Sequence, residues 1–345
     1  MEHLTIRDIA RMTDVSSATV SRVVNGSGLV KEETRVKIQR VISENAYVPN
    51  PMARGLSRGR PDTVTVVLPD ISNPFFSEVV KGISAIADEN HLKIILYDTD
   101  ETLQRESAFL NGITPVHTRG IIIAPVSDSD DSDSSQLGLV SDRSVPVVLV
   151  DRDVKGSNFD GVFIDNIKGA RDAVDALLAA GHTDIAIIAG PEGSKPGRER
   201  LIGYRNAIEG AGREVDESLI CHGDFRLESG YQLTKDILSA ARIPTAIFSC
   251  NNLMTLGVIK ALRENQVSVP EDIALIGFDS IEMLDILGSP ISHVARPTYE
   301  MGRIAMQLML DQLEPSIQDD HKVQRVTLTP ELVLQGSEVL VPKKK

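Results

Sequence analysis

Thr5 to Asn25, TIRDIARMTDVSSATVSRVVN, reads as two short helices separated by a tight turn. Thr5 followed three residues later by Asp8 resembles a capping box, a side-chain oxygen meeting orphan helix amides. Ile6, Ile9 and Ala10 fall on one face, and Thr13-Asp14 breaks the period. Ser16 can cap a second helix whose buried face is Val20, Val23 and Val24. That leaves Ser17, Ala18, Thr19, Ser21 and Arg22 exposed. Such small, hydroxyl-bearing and basic groups suit a surface pressed into a DNA groove.

A third amphipathic helix is predicted from about Glu32 to Asn45, followed by a break bracketed by Pro49 and Pro51. Pro51 can occupy the first turn of a helix over residues 52–57, too short to persist alone in water. Residues 57–61 form a polar exit linker.

The chain of 345 residues has room for two or three domains. No apolar run is long enough to span a bilayer. Met1-Glu2-His3 leads straight into the capped helix, so no signal peptide is expected. Cys221 and Cys250 are too few for a disulfide framework, and a reducing cytoplasm is the expected setting. The net charge is −13, unevenly spread. Residues 1–60 carry ten Lys/Arg against six Asp/Glu, whereas the other 285 carry twenty-six against forty-three. A basic head on an acidic body concentrates affinity for nucleic acid in the head.

From Thr63 short apolar runs alternate with helical patterns. Residues 63–69, 93–97, 120–125, 146–150, 161–164, 184–190, 245–249 and 272–278 read as buried parallel strands. Helices are predicted at roughly 75–90, 101–113, 167–181, 197–212, 227–241 and 252–265. This is an α/β pattern with doubly wound parallel sheets, split into two similar subdomains whose strand ends face across a cleft. The run SDSDDSDSS, residues 127–135, is expected to be a solvated acidic loop, and Lys343 to Lys345 an incidental tail.

Polar and aromatic groups recur just past the predicted strand ends: Asn73, Phe75 and Phe76; Asp151 and Arg152; Asp165; Arg198 and Arg200; Phe225; Asn251; Asp279. In one loop such a residue is usually structural, but recurrence over several makes a ligand site. Two adjacent aromatics cannot both enter one core from a strand end. Either Phe75 or Phe76, or both, line a pocket, or they cap the core; the residues alone leave both open. Carboxylates, guanidinium and amide groups recognise sugar hydroxyls, and phenyl faces cover the C–H faces of a sugar ring. No nucleophile with a base, P-loop or metal-ligand spacing is present, so no catalytic residue, cofactor or metal is expected.

VSSATVSRVVN (15–25), LVKEETRVKI (29–38) and YVPNPMARGL (47–56) together resemble the DNA-binding headpiece and hinge of the LacI family of bacterial repressors. Residues 63–335 resemble the periplasmic-binding-protein-like core of that family, most closely ribose-operon repressors and ribose-binding proteins. The second likeness rests on NPFF at 73–76, Asp151-Arg152, RER at 198–200, GDF at 223–225, Asn251 and GFD at 277–279. The resemblance implies DNA contacts from Thr5, Ser16, Ser17, Ala18, Thr19, Ser21, Arg22 and Asn25, and from Asn50, Ala53, Arg54 and Leu56 in a hinge helix. Leu56 would wedge into the minor groove. Phe75, Phe76 and Phe225 would sandwich a sugar ring, with Asn73, Asp151, Arg152, Arg200, Asn251 and Asp279 on its hydroxyls and ring oxygen. Asp165 and Arg296 complete the expected effector set. The chain departs from the family at Asn251-Asn252, where Asn-Asp is usual, and at Arg296-Pro297, where Gln-Pro is usual. The extra positive charge of Arg296 would favour a phosphorylated sugar, a nucleoside or a different pentose. Gln307 stands where catabolite control proteins have an arginine, which counts against their phosphorylated carrier-protein partner.

The expected domains are a headpiece at 1–49, a hinge helix and linker at 50–61, and an effector-binding core at 62–345. Within the core the N-subdomain is expected at about 62–160 and 292–322, the C-subdomain at about 161–291 and 323–340. The expected function is a homodimeric, allosteric repressor that binds a pseudo-palindromic operator and answers to a small sugar, ribose or another pentose. The alternatives are a regulator answering to a phosphorylated sugar or nucleoside, or a catabolite-control-type global regulator. A transport binding protein would share the body but lack the headpiece. An α/β enzyme would need a reactive constellation.

Overall fold

The computed structural model describes residues 4–25, 28–45, 47, 61–128, 133–314 and 322–340. The expected hinge helix at 52–57, with Asn50, Ala53, Arg54 and Leu56, and the lysine tail lie outside the described residues. The chain divides into two compact units: Met1–Asp62 with Pro115–Arg119, and Thr63–Thr114 with Gly120–Lys345.

In the first unit, helices α1 (Ile6–Thr13), α2 (Ser17–Asn25) and α3 (Glu32–Glu44) enclose Ile9, Ala10, Val20 and Ile38. The capping box is present: the Asp8 amide donates to Thr5 Oγ1 at 3.3 Å, and the Thr5 amide to Asp8 Oδ2 at 2.9 Å. Asp14 ends α1 in the left-handed conformation, where the period breaks.

In the second unit the described residues form two six-stranded sheets. The first contains β1 (Thr63–Leu68), β2 (Lys93–Asp98), β3 (Ile121–Ile123), β4 (Val147–Val150), β5 (Asp160–Ile164) and β11 (Arg325–Leu328), in the order β11-β5-β4-β3-β1-β2, all parallel. The second contains β6 (Ile185–Ala189), β7 (Ile220–His222), β8 (Ala246–Ser249), β9 (Ala274–Phe278), β10 (Ser292–Ala295) and β12 (Glu331–Val333), in the order β12-β10-β9-β8-β6-β7. Only β12 runs antiparallel, to β10, at the edge. Helices α4 (Pro74–Glu89), α5 (Leu103–Gly112), α6 (Asp133–Asp142) and α12 (Thr298–Leu313) belong with the first sheet. Helices α7 (Asn166–Ala179), α8 (Lys195–Gly210), α9 (Leu227–Ser239), α10 (Asn252–Glu264) and α11 (Glu282–Ile286) belong with the second. No helix among the described residues is long and apolar enough to cross a membrane.

The predicted strands are all present, but the subdomain boundaries shift. β5 pairs with β4 and β11 pairs with β5, so both belong to the first subdomain; β10 pairs with β9 and belongs to the second. The chain therefore crosses at Asp165, at Arg296-Pro297 and at Thr329-Pro330. Which sheet a short apolar run joins is decided by its hydrogen-bonded neighbour, which hydropathy does not encode. The acidic run also departs from expectation. Ser127 Oγ donates to the Gly193 carbonyl at 3.2 Å, and Asp128 is buried against Arg198, whose Nη1 donates to Asp128 Oδ1 at 2.7 Å. Its end, from Asp133, opens α6.

Glycines let paired helices approach closely. A Cβ on Gly302 of α12 would lie 2.0 Å from the Val79 carbonyl oxygen of α4, and one on Gly82 would lie 2.0 Å from that of Tyr299. Neither neighbour is a side chain that could swing away. Gly302→Ala should destabilise the core by about 1–3 kcal/mol, the cost of overpacking. Urea unfolding should show a lower midpoint at unchanged slope; an unchanged midpoint would mean that the helix pair yields at no cost.

Candidate DNA-reading helix and ligand cleft

The headpiece presents the residues expected at DNA in two groups. Thr5 and Ser16 serve as caps: Ser16 Oγ accepts from the Thr19 amide at 3.1 Å and bonds Thr19 Oγ1 at 2.9 Å. Ser17, Ala18 and Arg22 are exposed on α2, with Thr19 and Ser21 half-buried. Ala18 and Arg22 stand one turn apart on one face. The side chain of Asn25 lies outside the described residues.

In the core, the carboxyl ends of strands from both sheets meet around a cleft that its own side chains largely fill, leaving a cavity of about 20 Å³. That is far below the roughly 300–1,000 Å³ of open ligand sites, so a ligand must displace groups that now fill the cleft. Ten of the eleven expected effector residues line it. The exception is Asp165, which caps α7 by accepting from the Lys168 amide at 2.9 Å. Asp70, Glu101, Pro196 and Arg226 also line the cleft and were not expected. Asp70, Glu101 and Arg226 follow the ends of β1, β2 and β7, so the strand-end rule could have found them.

The aromatic pair fills two roles at once. Phe75 and Phe76 are both buried in the first subdomain's core, edge to face with centroids 4.8 Å apart, and both line the cleft. They occupy the first turn of α4 rather than a strand end. Neighbours on a helix diverge by about 100° and can both reach one buried corner. Phe225 lies across the cleft in the second subdomain's core.

The polar groups are heavily engaged with one another. Arg296 donates through Nε to Asp279 Oδ1 at 2.5 Å and through Nη1 to Asp151 Oδ1 at 2.6 Å, while its guanidinium lies 3.5 Å from the centre of the Phe75 ring. Its side chain is 3 % exposed and those of both carboxylates 6 %. Arg152 forms a fork with Glu101, at 2.6 and 2.8 Å. Burial works against the Arg152 charge, but Glu101 outweighs it and holds the pKa above the ordinary value. Arg200 donates to Asn166 Oδ1 at 3.0 Å and to the Cys250 carbonyl at 2.5 Å, with its guanidinium 3.7 Å from the Phe278 ring centre. Burial and the nearby Arg296 charge lower its pKa to about 10. Asn251 caps α10 and donates to the Phe225 carbonyl at 2.7 Å. Asn252 Nδ2 donates across the cleft to Asn73 Oδ1 at 2.9 Å. Asp279 Oδ2 and Arg152 Nε are buried with no hydrogen-bond partner among the described residues.

Several cleft-lining strand-end residues hold a left-handed backbone despite carrying side chains: Glu101 at φ 51°, Asp151 at 64°, Phe225 at 67° and Asp279 at 77°. Strain of this kind gathers where a surrounding fold fixes a functional side chain.

A reading head of three short helices joined to a two-lobed α/β cleft defines a ligand-responsive DNA-binding regulator. The comparisons agree. A family model described as bacterial regulatory proteins, lacI family, matches residues 5–50, and one described as a periplasmic binding protein-like domain matches 174–337. The HTH-type transcriptional regulator DegA of Bacillus subtilis (strain 168) is 35% identical over 334 residues, 96% of this chain and 97% of its own. The ribose operon repressor of Escherichia coli (strain K12) is 31% identical over 96% of this chain and 99% of its own. A solved complex of the transcriptional regulator CelR with cellobiose matches at 32% identity and a TM-score of 0.70, covering 97% of this chain and 99% of that one. The chain belongs to the LacI family and is a DNA-binding transcriptional repressor of that type, not an enzyme.

Two outcomes follow for these sites. Losing a bidentate base contact costs about 1–3 kcal/mol and relaxes one base position. Arg22→Ala should therefore flatten preference at one symmetric pair of operator positions in a selection on random sites; an unchanged consensus would remove Arg22 from base readout. Glu101→Gln leaves the Arg152 guanidinium buried without its counter-ion, and breaking such a pair costs about 3–5 kcal/mol. Thermal unfolding should show that loss, and adding Arg152→Met should recover most of it. A single variant as stable as the parent would mean that Arg152 finds another partner.

Proposed function

We propose that two copies of this chain hold a pseudo-palindromic operator and release it when a neutral sugar, ribose or another pentose, enters the cleft. A single recognition helix reads too few bases for selectivity, and a two-fold pair reads matched half-sites. The observation that carries the effector reading is the buried Asp279 Oδ2, without a hydrogen-bond partner among the described residues, in a cleft that Phe75, Phe76 and Phe225 also line. An acceptor buried without a donor is costly, and a sugar hydroxyl would supply one. Among this chain's relatives, CelR is named in a complex with cellobiose and another is named as a repressor of the ribose operon.

Charge favours a neutral sugar. The positive charge of Arg296 is met by Asp151 and Asp279, and that of Arg152 by Glu101. The surplus that the sequence alone attributes to Arg296 is thereby cancelled, and a phosphate group would gain little from it. A ligand touching both lobes shifts their arrangement by no more than its difference in affinity for the alternatives.

The test is a thermal-shift screen with D-ribose, D-ribose 5-phosphate and a nucleoside, followed by operator titration with each compound. D-ribose should raise the melting temperature and weaken operator binding by about 5–150-fold, a coupling of roughly 1–3 kcal/mol. Asp279→Asn keeps an acceptor for Arg296 but replaces the free one with a donor. It should bind operator as the parent does and fail to release it. A larger shift with D-ribose 5-phosphate, or an Asp279→Asn variant that releases at the parent's sugar concentration, would overturn the reading.

A further inference from the structure

Arg296 lies on the segment where the chain passes from β10, in the second subdomain, to α12, in the first. Its guanidinium is a flat polar group, stacked on Phe75 and held by one carboxylate from each subdomain, Asp151 and Asp279. A sugar ring would use the same three partners in the same way: an aromatic face below and acceptors at the rim. We propose that Arg296 is a built-in occupant of the cleft that ties the two subdomains together before any effector arrives. The consequence for regulation rests on the effector reading above: the sugar exchanges one tie across the cleft for another, rather than forming the first.

The chemistry favours Arg at this position. A guanidinium carries its N–H donors around the edge of one plane, so one group can serve two acceptors at its rim and still stack by its face. Glutamine offers one amide donor group and no charge. With Gln at 296, Asp151 and Asp279 would face each other as like charges in a buried site, and the lobes would separate. Other contacts also cross the cleft: Asn252 to Asn73, Arg226 to the Asp100 carbonyl at 2.9 Å, and Arg198 to Asp128. The first is a single neutral hydrogen bond, Arg226 and Asp100 are both exposed so that screening weakens them, and the exposed Arg198 meets one buried carboxylate, as the half-buried Lys195 meets Asp153 at 3.4 Å. Arg296 is the one among these held by two carboxylates out of water.

The experiment reads cleft opening directly, with no sugar and no DNA. Spin labels are placed at the exposed positions Gln104 of α5 and Glu228 of α9, through Gln104→Cys and Glu228→Cys in a Cys221→Ser background, leaving the buried Cys250 unlabelled. Pulsed electron–electron double resonance then gives the distance distribution in the full-length protein, mixed with an excess of unlabelled protein so that an assembly of two copies carries only one labelled chain. The parent should show one narrow, short population. Arg296→Gln should move most molecules to longer distances. Because that variant buries two unpaired carboxylates, a second one, Arg296→Met with Asp151→Asn and Asp279→Asn, removes tie and repulsion together and should also lengthen the distance. Circular dichroism confirms that each is folded. A folded variant of either kind with the parent's distribution overturns the proposal, as does a parent already broad and long. A failure to respond to D-ribose would count against the effector reading and leave these distances untouched.

Discussion

The core rests on one buried arrangement of charge, a guanidinium between two carboxylates. Asp151, Arg296 and Asp279 would each be costly to take out of water alone, and attraction between them offsets that cost only while their geometry holds. At an effective dielectric constant near 20, a pair at ~4 Å is worth about 4 kcal/mol. Asp151 stands at the end of β4 and Asp279 at the end of β9, in different sheets. Neutrality in each lobe therefore depends on the placement of the other. The alignment of the subdomains and the electrostatics of the cleft are one problem with one solution.

The sheets make that solution stable. Strands β3, β4, β5, β6, β8 and β9 are buried along their length and packed by helices whose backbones meet at glycines, as at Gly82 and Gly302. A base this stiff can hold Asp151, Phe225 and Asp279 at positive φ, where a residue in a loose loop would relax. The same loops remain free to vary in side chain without disturbing the strands. That division is consistent with the shared fold of CelR at 32% identity to this chain.

Much of this was legible in the amino-acid order. The capping box at Thr5, the stop at Asp14 and the valine face of α2 are local, and the strands are apolar runs of the right length. Polar and aromatic residues at strand ends located nine cleft residues, and the family resemblance added Arg296. What was not legible depends on distant partners. Arg296 read as an added positive charge because Asp151 lies 145 positions away in sequence. Asp128 read as part of a solvated acidic run because its partner, Arg198, lies 70 positions on. Asp165 followed the strand-end rule and still fell outside the cleft, because its carboxylate turned to the α7 amides. The sheet membership of β5, β10 and β11 likewise required their hydrogen-bonded neighbours.

The central claim is that the Arg296 guanidinium is locked between its two carboxylates in the protein without effector. Solution NMR of protein labelled at arginine Nε tests it most directly, with the Arg296 resonance assigned by its disappearance in Arg296→Gln. The account predicts an Nε–H signal that exchanges slowly with water in the unliganded protein and loses protection when Asp279→Ala removes its acceptor. An Arg296 Nε–H that exchanges as fast as those of surface arginines would contradict it.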